Sequence, residues 1–320
     1  MMNYLNTYRR YACDINRVNR EALNDPEGFV CMTENVFRYD LGLIAEQVLN
    51  TPAKRHVILL SGPSSSGKTT SALKLSDEFG RHGVDVNHIS MDDFYLGKDF
   101  VKKLPDGKPD FESVDALDIP MIKQTITDLT EKGEAIIPQY DFGCSARKTE
   151  TKHISTSGDS VIIIEGIHAL NPIFSEGMSK ESVMKIYVSV KQGIKENEDY
   201  VLTNREIRFI RRLIRDRNFR NTEPEYLLIL WDSIVDGEMK YIRPYRYTSD
   251  FTINSIHIYE PCVFRNIALE TLKNIKCDEK YRSFINKLIT SLERFQSIDS
   301  RFVPDDSLIR EFIGGGCYSY

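Results

Sequence analysis

The segment Gly62-Pro63-Ser64-Ser65-Ser66-Gly67-Lys68-Thr69 has the residue types and the G-x-x-x-x-G-K-[ST] spacing that can wrap a chain of phosphates. Backbone N–H groups converge on phosphate oxygens only where side chains leave room, which is the use of the two glycines. A helix opening at Lys68 turns the positive end of its dipole on the same anion. Lys68 adds a point charge for the β- and γ-phosphates, and the Thr69 hydroxyl can hold Mg²⁺. Gly62, Ser64, Ser65, Ser66, Gly67, Lys68, Thr69 and Thr70 are therefore the expected contacts to a nucleoside triphosphate, ATP or GTP. The bland alternative is a Ser/Gly turn that matches by chance. Its setting argues otherwise: the apolar run 57–60 precedes it, and Ala72, Leu73, Leu75 and Phe79 mark an amphipathic helix after it.

Three more groups have types and positions suited to phosphoryl chemistry. The buried-looking run 161–164 ends in Glu165-Gly166, and an acid at the end of a strand beside such a loop can join the Mg²⁺ shell, though it could also cap a nearby amide. Ser90-Met91-Asp92-Asp93-Phe94-Tyr95 follows another strand and so lies at the carboxyl edge of the sheet, where open α/β folds bind ligands. Transfer to a hydroxyl needs a carboxylate that orients the nucleophile and takes its proton; Asp92 or Asp93 can do this, against the plain reading of an N-cap with core aromatics. Arg208, Arg211, Arg212 and Arg215 stand at i, i+3, i+4 and i+7 on one helical face, with Ile207, Ile210, Leu213 and Ile214 supplying the buried side. Like charges at this spacing cost a few tenths of a kcal/mol per pair. Asp216 can answer Arg212 or Arg220 but not the whole set, whereas a triphosphate can; the alternatives are a solvated basic face or an RNA-contact stripe. His168, alone after its strand, is read as a structural group.

These groups need a scaffold that brings strand ends together. Short apolar strands at 56–61, 86–90, 161–165, 185–190 and 251–254 alternate with helices at 68–81, 116–132, 204–218, 224–236 and 261–275. That alternation implies βαβ units, a mainly parallel sheet and a three-layer α/β core. Ahead of it, 29–32 reads as a short strand and 37–49 as a helix, closed by Thr51-Pro52. Behind it, 279–295 and 306–312 read as an appended helical layer ending in Gly314-Gly315-Gly316. The expected division is an N-terminal segment 1–52, a nucleotide-binding domain 53–275 and a C-terminal helical extension 276–320.

The bulk numbers narrow the class. Hydrophobic content of 41% and charged content of 28% are those of a globular protein, and a net charge of −5 gives no global attraction to nucleic acid or an anionic membrane. No stretch approaches the roughly 18 apolar residues of a membrane span. Met1-Met2-Asn3-Tyr4 lacks the layout of a signal peptide. Cys13, Cys31, Cys144, Cys262, Cys277 and Cys317 are scattered without a Cys-x-x-Cys pair, and the histidines form no i,i+4 pair. The reading is a cytoplasmic protein with reduced cysteines and a small-molecule partner.

Taken in order, the motifs resemble those of the uridine kinase and phosphoribulokinase family of P-loop kinases. The matching segments are 62–69, Asp92-Asp93-Phe94-Tyr95, Asp110-Phe111-Glu112 with Asp115-Ala116, Pro138-Gln139-Tyr140-Asp141-Phe142 with Arg147-Lys148, Glu165-Gly166 and the stripe 208–216, spanning about residues 55 to 260. The resemblance implies a P-loop core, Asp92 as catalytic base, and an acceptor pocket lined by Tyr95, Glu112, Tyr140 and Arg147. It also implies an arginine helix, Arg208 included, closing as a lid on the phosphates, with Arg211, Arg212 and Arg215 neutralising developing charge. The expected activity is Mg²⁺- and ATP(GTP)-dependent phosphorylation of a hydroxyl, foremost the 5′-hydroxyl of a nucleoside such as uridine or cytidine. A sugar phosphate or pantothenate-like alcohol is the alternative acceptor, and a nucleotide-gated regulatory or RNA-binding protein is the alternative class. Family members often form tetramers, so a homo-oligomer belongs to the same expectation.

The chain departs from uridine kinases in four places. Glu112 stands where Asp is usual, Val114 replaces the usual Pro, Ser145 occupies the position of a base-contacting His, and 191–203 is an insertion. The whole chain resembles more closely a bacterial branch of uridine-kinase-like proteins, whose members often carry a threonyl-tRNA-synthetase-like N-terminal region and end in a segment like 307–315. This chain has that ending and fewer residues ahead of the loop than such a region needs.

Overall fold

The computed structural model describes residues 13–53, 55–103, 107, 109–141, 143–156 and 158–319. The first residues, read for a targeting signal, and Phe142 lie outside the described residues. Helices α1 (Ile15–Asn24) and α2 (Pro26–Leu49) lead into β1 (Arg55–Ser61), α3 (Lys68–Arg81) and β2 (Asp85–Ser90). Next come α4 (Ile119–Glu131), β3 (Glu134–Ile137), β4 (Tyr140–Asp141), β5 (Ala146–Arg147), β6 (Lys152–Ser155) and β7 (Ser160–Glu165). Then follow β8 (Val183–Ser189), β9 (Ile194–Glu196), β10 (Asp199–Leu202), α5 (Asn204–Phe219), α6 (Pro224–Gly237) and β11 (Phe251–Asn254). Three helices close the chain: α7 (Glu260–Asn274), α8 (Glu279–Glu293) and α9 (Arg310–Ile313).

Five strands form one parallel sheet in the order β11-β8-β1-β7-β2. Its central strands alternate between two cores, as pleating requires. Ile58 and Leu60 face the side packed with α2, α3, α5 and α7, whereas Val57 and Leu59 face the side packed with α4. The result is the expected three-layer α/β core, with helices on both faces. In-register pairing sets Glu165 level with Leu60 on one side and Ser90 on the other, so three strand ends meet at one edge.

One element differs in kind. Residues 29–32, expected as a strand, lie inside α2. Asp25 caps that helix by accepting from the Gly28 N–H at 2.9 Å, and Pro26 takes a first-turn position where its missing N–H costs nothing. Buried Phe29, Val30, Phe37, Leu41, Ile44 and Val48 then fall on one helical face, a period a four-residue window cannot reveal. The insertion 191–203 contains the hairpin β9–β10, and Thr203 after it forms a capping box with Glu206 at the start of α5. Residues 306–309, expected as helix, are turns leading into the single turn of α9.

Both ends of the described chain share the core with the sheet: Val18, Phe37, Leu292, Leu308 and Phe312 all belong to the cluster around Ile58. Behind the loop, Glu34 of α2 accepts from Tyr259 Oη at 2.6 Å and from Ser307 Oγ at 2.5 Å. All six cysteines are free thiols. Among the described residues, no helix is long and apolar enough to cross a membrane.

Candidate active site

The 62–69 loop joins the end of β1 to the start of α3. A Cβ on Gly62 would collide with the Val188 carbonyl of β8, and one on Gly67, whose φ is +82°, would collide with Leu308. Only glycine fits either place. Ser65 also has a left-handed φ of +57°, so consecutive peptides curl around a hollow. No side chain caps the N-terminus of α3, and the Ser65 and Ser66 hydroxyls are buried without partners. Free donors at a helix N-terminus fit an anion.

Thr69 Oγ1 donates to Glu165 Oε1 at 3.1 Å, and Ser90 Oγ donates to the same oxygen at 3.2 Å. The Asp92 N–H in turn donates to Ser90 Oγ at 3.3 Å. Asp92 and Glu165 are thus carried to one spot by neighbouring strand ends. Burial, then the neighbouring Glu165 carboxylate, pushes the Asp92 carboxyl up to about 6, against the pull of Lys68, Arg220 and Arg215. Burial likewise raises Glu165, with Lys68 and the Thr69 and Ser90 hydroxyls opposing it. Burial also raises Glu112, opposed by Arg212 and Lys68. Lys68 therefore sits among three carboxylates, each held above its ordinary range.

The two aspartates separate here. The Asp93 carboxylate accepts from the Tyr140 N–H at 3.4 Å and so anchors β4, while Asp92 faces Lys68 and Glu165.

Helix α5 lies along the loop, and its four arginines divide into two pairs. Arg208 Nε donates to the Ser64 carbonyl at 3.0 Å, and its NH1 pairs with Glu238 at 2.8 Å. Arg211 is 0% exposed, with a two-point bridge to Glu260 at 2.5 and 2.9 Å and bonds to the Ser65 and Ser255 carbonyls at 3.3 and 2.7 Å. These two hold the outside of the loop. Because a peptide is planar and trans, fixing the Ser64 carbonyl outward aims the Ser65 N–H inward. Arg212 instead reaches the Ser64 hydroxyl at 2.7 Å, and Arg215 reaches Glu311 at 3.3 Å. Asp216 pairs with Arg212, Arg215 and Arg220 at 3.0, 3.3 and 3.7 Å, which gathers three cations at one end of the site.

A model of the Phosphoribulokinase / Uridine kinase family matches residues 57–259, more than half of the chain. The chain belongs to this family. The uridine kinase of Lactobacillus helveticus is 28% identical over 188 residues, covering 59% of this chain and 77% of that protein. That of Deinococcus deserti is 25% identical over 188 residues, covering 59% and 78%. A solved structure described as a possible uridine kinase from Bacillus stearothermophilus superposes with a TM-score of 0.37 at 22% identity, covering 46% of this chain and 78% of that one.

Of the remaining expected residues of this family member, Tyr95, Tyr140 and Arg147 lie on the α4 side of the site. Tyr95 is buried against Phe111 and Tyr140, with ring centroids 5.8 and 5.7 Å away, and donates to the Phe111 carbonyl at 3.2 Å. Arg147 donates to the Phe94 and Tyr95 carbonyls at 3.2 and 3.1 Å and pairs with Asp118 at 3.0 Å. Its guanidinium therefore fixes the turn that carries Asp92 and Tyr95. Glu112 packs closely on Gly237 of α6. His168 is buried edge-on to Tyr241, and burial holds its imidazole at about 4, in the neutral form.

Thr70, expected among the loop's nucleotide contacts, and Arg211, expected from the arginine helix to neutralise developing charge, have other partners. The buried Thr70 hydroxyl donates to Glu311 Oε2 at 2.7 Å, and Arg211 is committed to Glu260. Sequence reasoning missed Ser90, Glu238, Glu260 and Glu311. Ser90 alone had a signal, since it immediately precedes the Asp-Asp pair at the edge of the sheet.

Proposed function

We propose that this kinase-family protein transfers the γ-phosphoryl group of ATP to the 5′-hydroxyl of a nucleoside, with uridine and cytidine as the first candidates. The observation that carries this reading is the place of Asp92, beside Glu165 and Lys68 and on the same side as Glu112. A carboxyl held near 6 is ionised at neutral pH yet basic enough to take a hydroxyl proton.

The loop donors and Lys68 hold the triphosphate. Thr69 and Glu165 are hard oxygen donors beside the phosphate cradle, and they fit Mg²⁺, which takes one or two carboxylates and completes its shell with phosphate oxygens and water. When bound there, the ion supplies positive charge to the phosphate oxygens. Asp92 orients the acceptor hydroxyl and accepts its proton as that oxygen bonds to the γ-phosphorus; the bond to the bridging oxygen breaks and ADP leaves. Arg212 and Arg215 neutralise charge on the moving group. Arg208 and Arg211 shape the loop. Tyr95 and Tyr140 supply an aromatic wall, and Glu112 receives sugar hydroxyls.

The test is a transfer assay with Mg-ATP and a panel of nucleosides, using Lys68→Ala as the blank. Stimulation by a nucleoside supports the reading. Robust transfer only to a non-nucleoside alcohol would refute the acceptor assignment.

A further inference from the structure

We propose that Glu311, near the end of the described chain and outside the family-matched residues 57–259, is a positioning residue for phosphoryl transfer that sets Arg215 toward the γ-phosphate. This rests on the reading of Arg215 as a phosphate-facing cation.

Glu311 is 7% exposed and uses both carboxylate oxygens. Oε2 accepts from Thr70 Oγ1 at 2.7 Å, one residue after Thr69 in α3, and Oε1 accepts from Arg215 NH1 at 3.3 Å in α5. Arg215 Nε also donates to Asp216 at 3.3 Å. The guanidinium is therefore gripped along two edges by two carboxylates while its charge still reaches Asp92, which it pulls down.

Simple docking of the C-terminal segment does not need this acid. Leu308, Ile309 and Phe312 are fully buried, Leu308 fills the space above Gly67, and Lys74 grips Asp306 at 2.7 Å. Burying a further carboxylate carries a desolvation cost that an apolar residue would avoid, so its contribution lies in the partners it orders. Each arginine of the stripe has an acid partner: Arg208 has Glu238, Arg211 has Glu260, Arg212 has Asp216, and Arg215 has Asp216 and Glu311. Glu260 stands one residue past the family-matched region, whereas Glu311 comes from the C-terminal segment far beyond it and ties the phosphate-binding helix to the arginine helix.

The test uses the full chain and needs no acceptor. Binding of Mg-ADP and of a Mg-bound non-hydrolysable ATP analogue is measured by calorimetry for the parent, Glu311→Gln, Arg215→Ala and the double variant. The affinity ratio between the two nucleotides isolates the γ-phosphate, and ADP serves as the internal control for general damage. Glu311→Gln is expected to lower that ratio about fivefold to tenfold with ADP affinity nearly unchanged, and to lower it no further in the Arg215→Ala background. An unchanged ratio in Glu311→Gln, or an equal second loss in the double variant, would overturn the proposal while leaving the reading of Arg215 intact. An unchanged ratio in Arg215→Ala would overturn both. If Glu311→Gln does not fold, Glu311→Asp keeps the charge at shorter reach, and a normal ratio in a variant that cannot span both partners counts against the proposal.

Discussion

The Thr69 hydroxyl of the phosphate-binding loop donates to the Glu165 carboxylate across 3.1 Å, joining the start of α3 to the end of β7. Ser90 donates to the same oxygen from the end of β2 at 3.2 Å. One carboxylate oxygen is thus shared by hydroxyls from two other chain segments, and the proposed role for this arrangement is a Mg²⁺ site.

If Glu165 belongs to that shell, directly or through water, Glu165→Gln keeps the shape and loses the charge. The Mg²⁺ concentration giving half-maximal activity should rise about 10-fold to 100-fold. Nucleotide binding measured without Mg²⁺ should change little. A magnesium titration of both proteins at fixed ATP checks this, and equal curves would remove Glu165 from the ion's shell.

Asp92 gives a pH prediction with a definite sign. Burial and Glu165 raise its carboxyl to about 6, so Asp92, as the proposed base, would be protonated and idle below that pH in the free protein. The kcat/KM of transfer should rise through about pH 6 to a plateau near neutrality. The stability linkage runs the other way. A raised carboxyl favours the fold below its unfolded value, and that contribution is lost as pH rises through the folded one. Asp92→Asn should therefore be more stable than the parent at pH 8, by about 1–2 kcal/mol, with the gap shrinking below pH 6. Melts at pH 8 and 5.5 follow the gap as it begins to close.

Arg211 and Arg212 are adjacent in sequence and should fail differently. Arg211 is sealed against Glu260, and removing one partner of a buried pair strands the other charge, at a cost of about 3–5 kcal/mol. Arg211→Ala should lower the melting temperature strongly. Arg212→Ala should melt near the parent and lose turnover instead, since Arg212 is partly exposed and faces Ser64. Thermal melts alongside kcat separate the two.

Glu112 carries the acceptor prediction. Losing a hydrogen bond from a charged group costs about 1.5–3 kcal/mol, so Glu112→Ala should raise the nucleoside KM by about 10-fold or more while the ATP KM stays near the parent's. A matched rise in both constants would place Glu112 outside the acceptor pocket.

What can be read from the sequence follows the range of the forces involved. The β1–loop–α3 unit is legible because every requirement is local: glycines at two fixed offsets, a buried strand before them and an amphipathic period after them. The residues at 29–32 mislead because a short apolar run fits strand and helix equally, and only the Asp25–Pro26 start and the period running to Val48 decide between them. The arginine stripe is visible as spacing, but spacing cannot tell which cations face the phosphates. That division rests on Glu260, Glu238 and Glu311, which meet the helix only after folding. Glu311 lies 96 residues from Arg215 and 241 from Thr70, beyond any local pattern.

The central claim is transfer from ATP to a nucleoside hydroxyl with Asp92 as base. It is tested most directly by following nucleoside phosphorylation with Mg-ATP across uridine, cytidine, other nucleosides and pantothenate, for the parent, Lys68→Ala and Asp92→Asn. The predicted result is strong stimulation by one nucleoside in the parent and loss of most of that activity in both variants, which still fold. Near-normal turnover by Asp92→Asn, or no nucleoside accepted by a parent that binds ATP tightly, would contradict it.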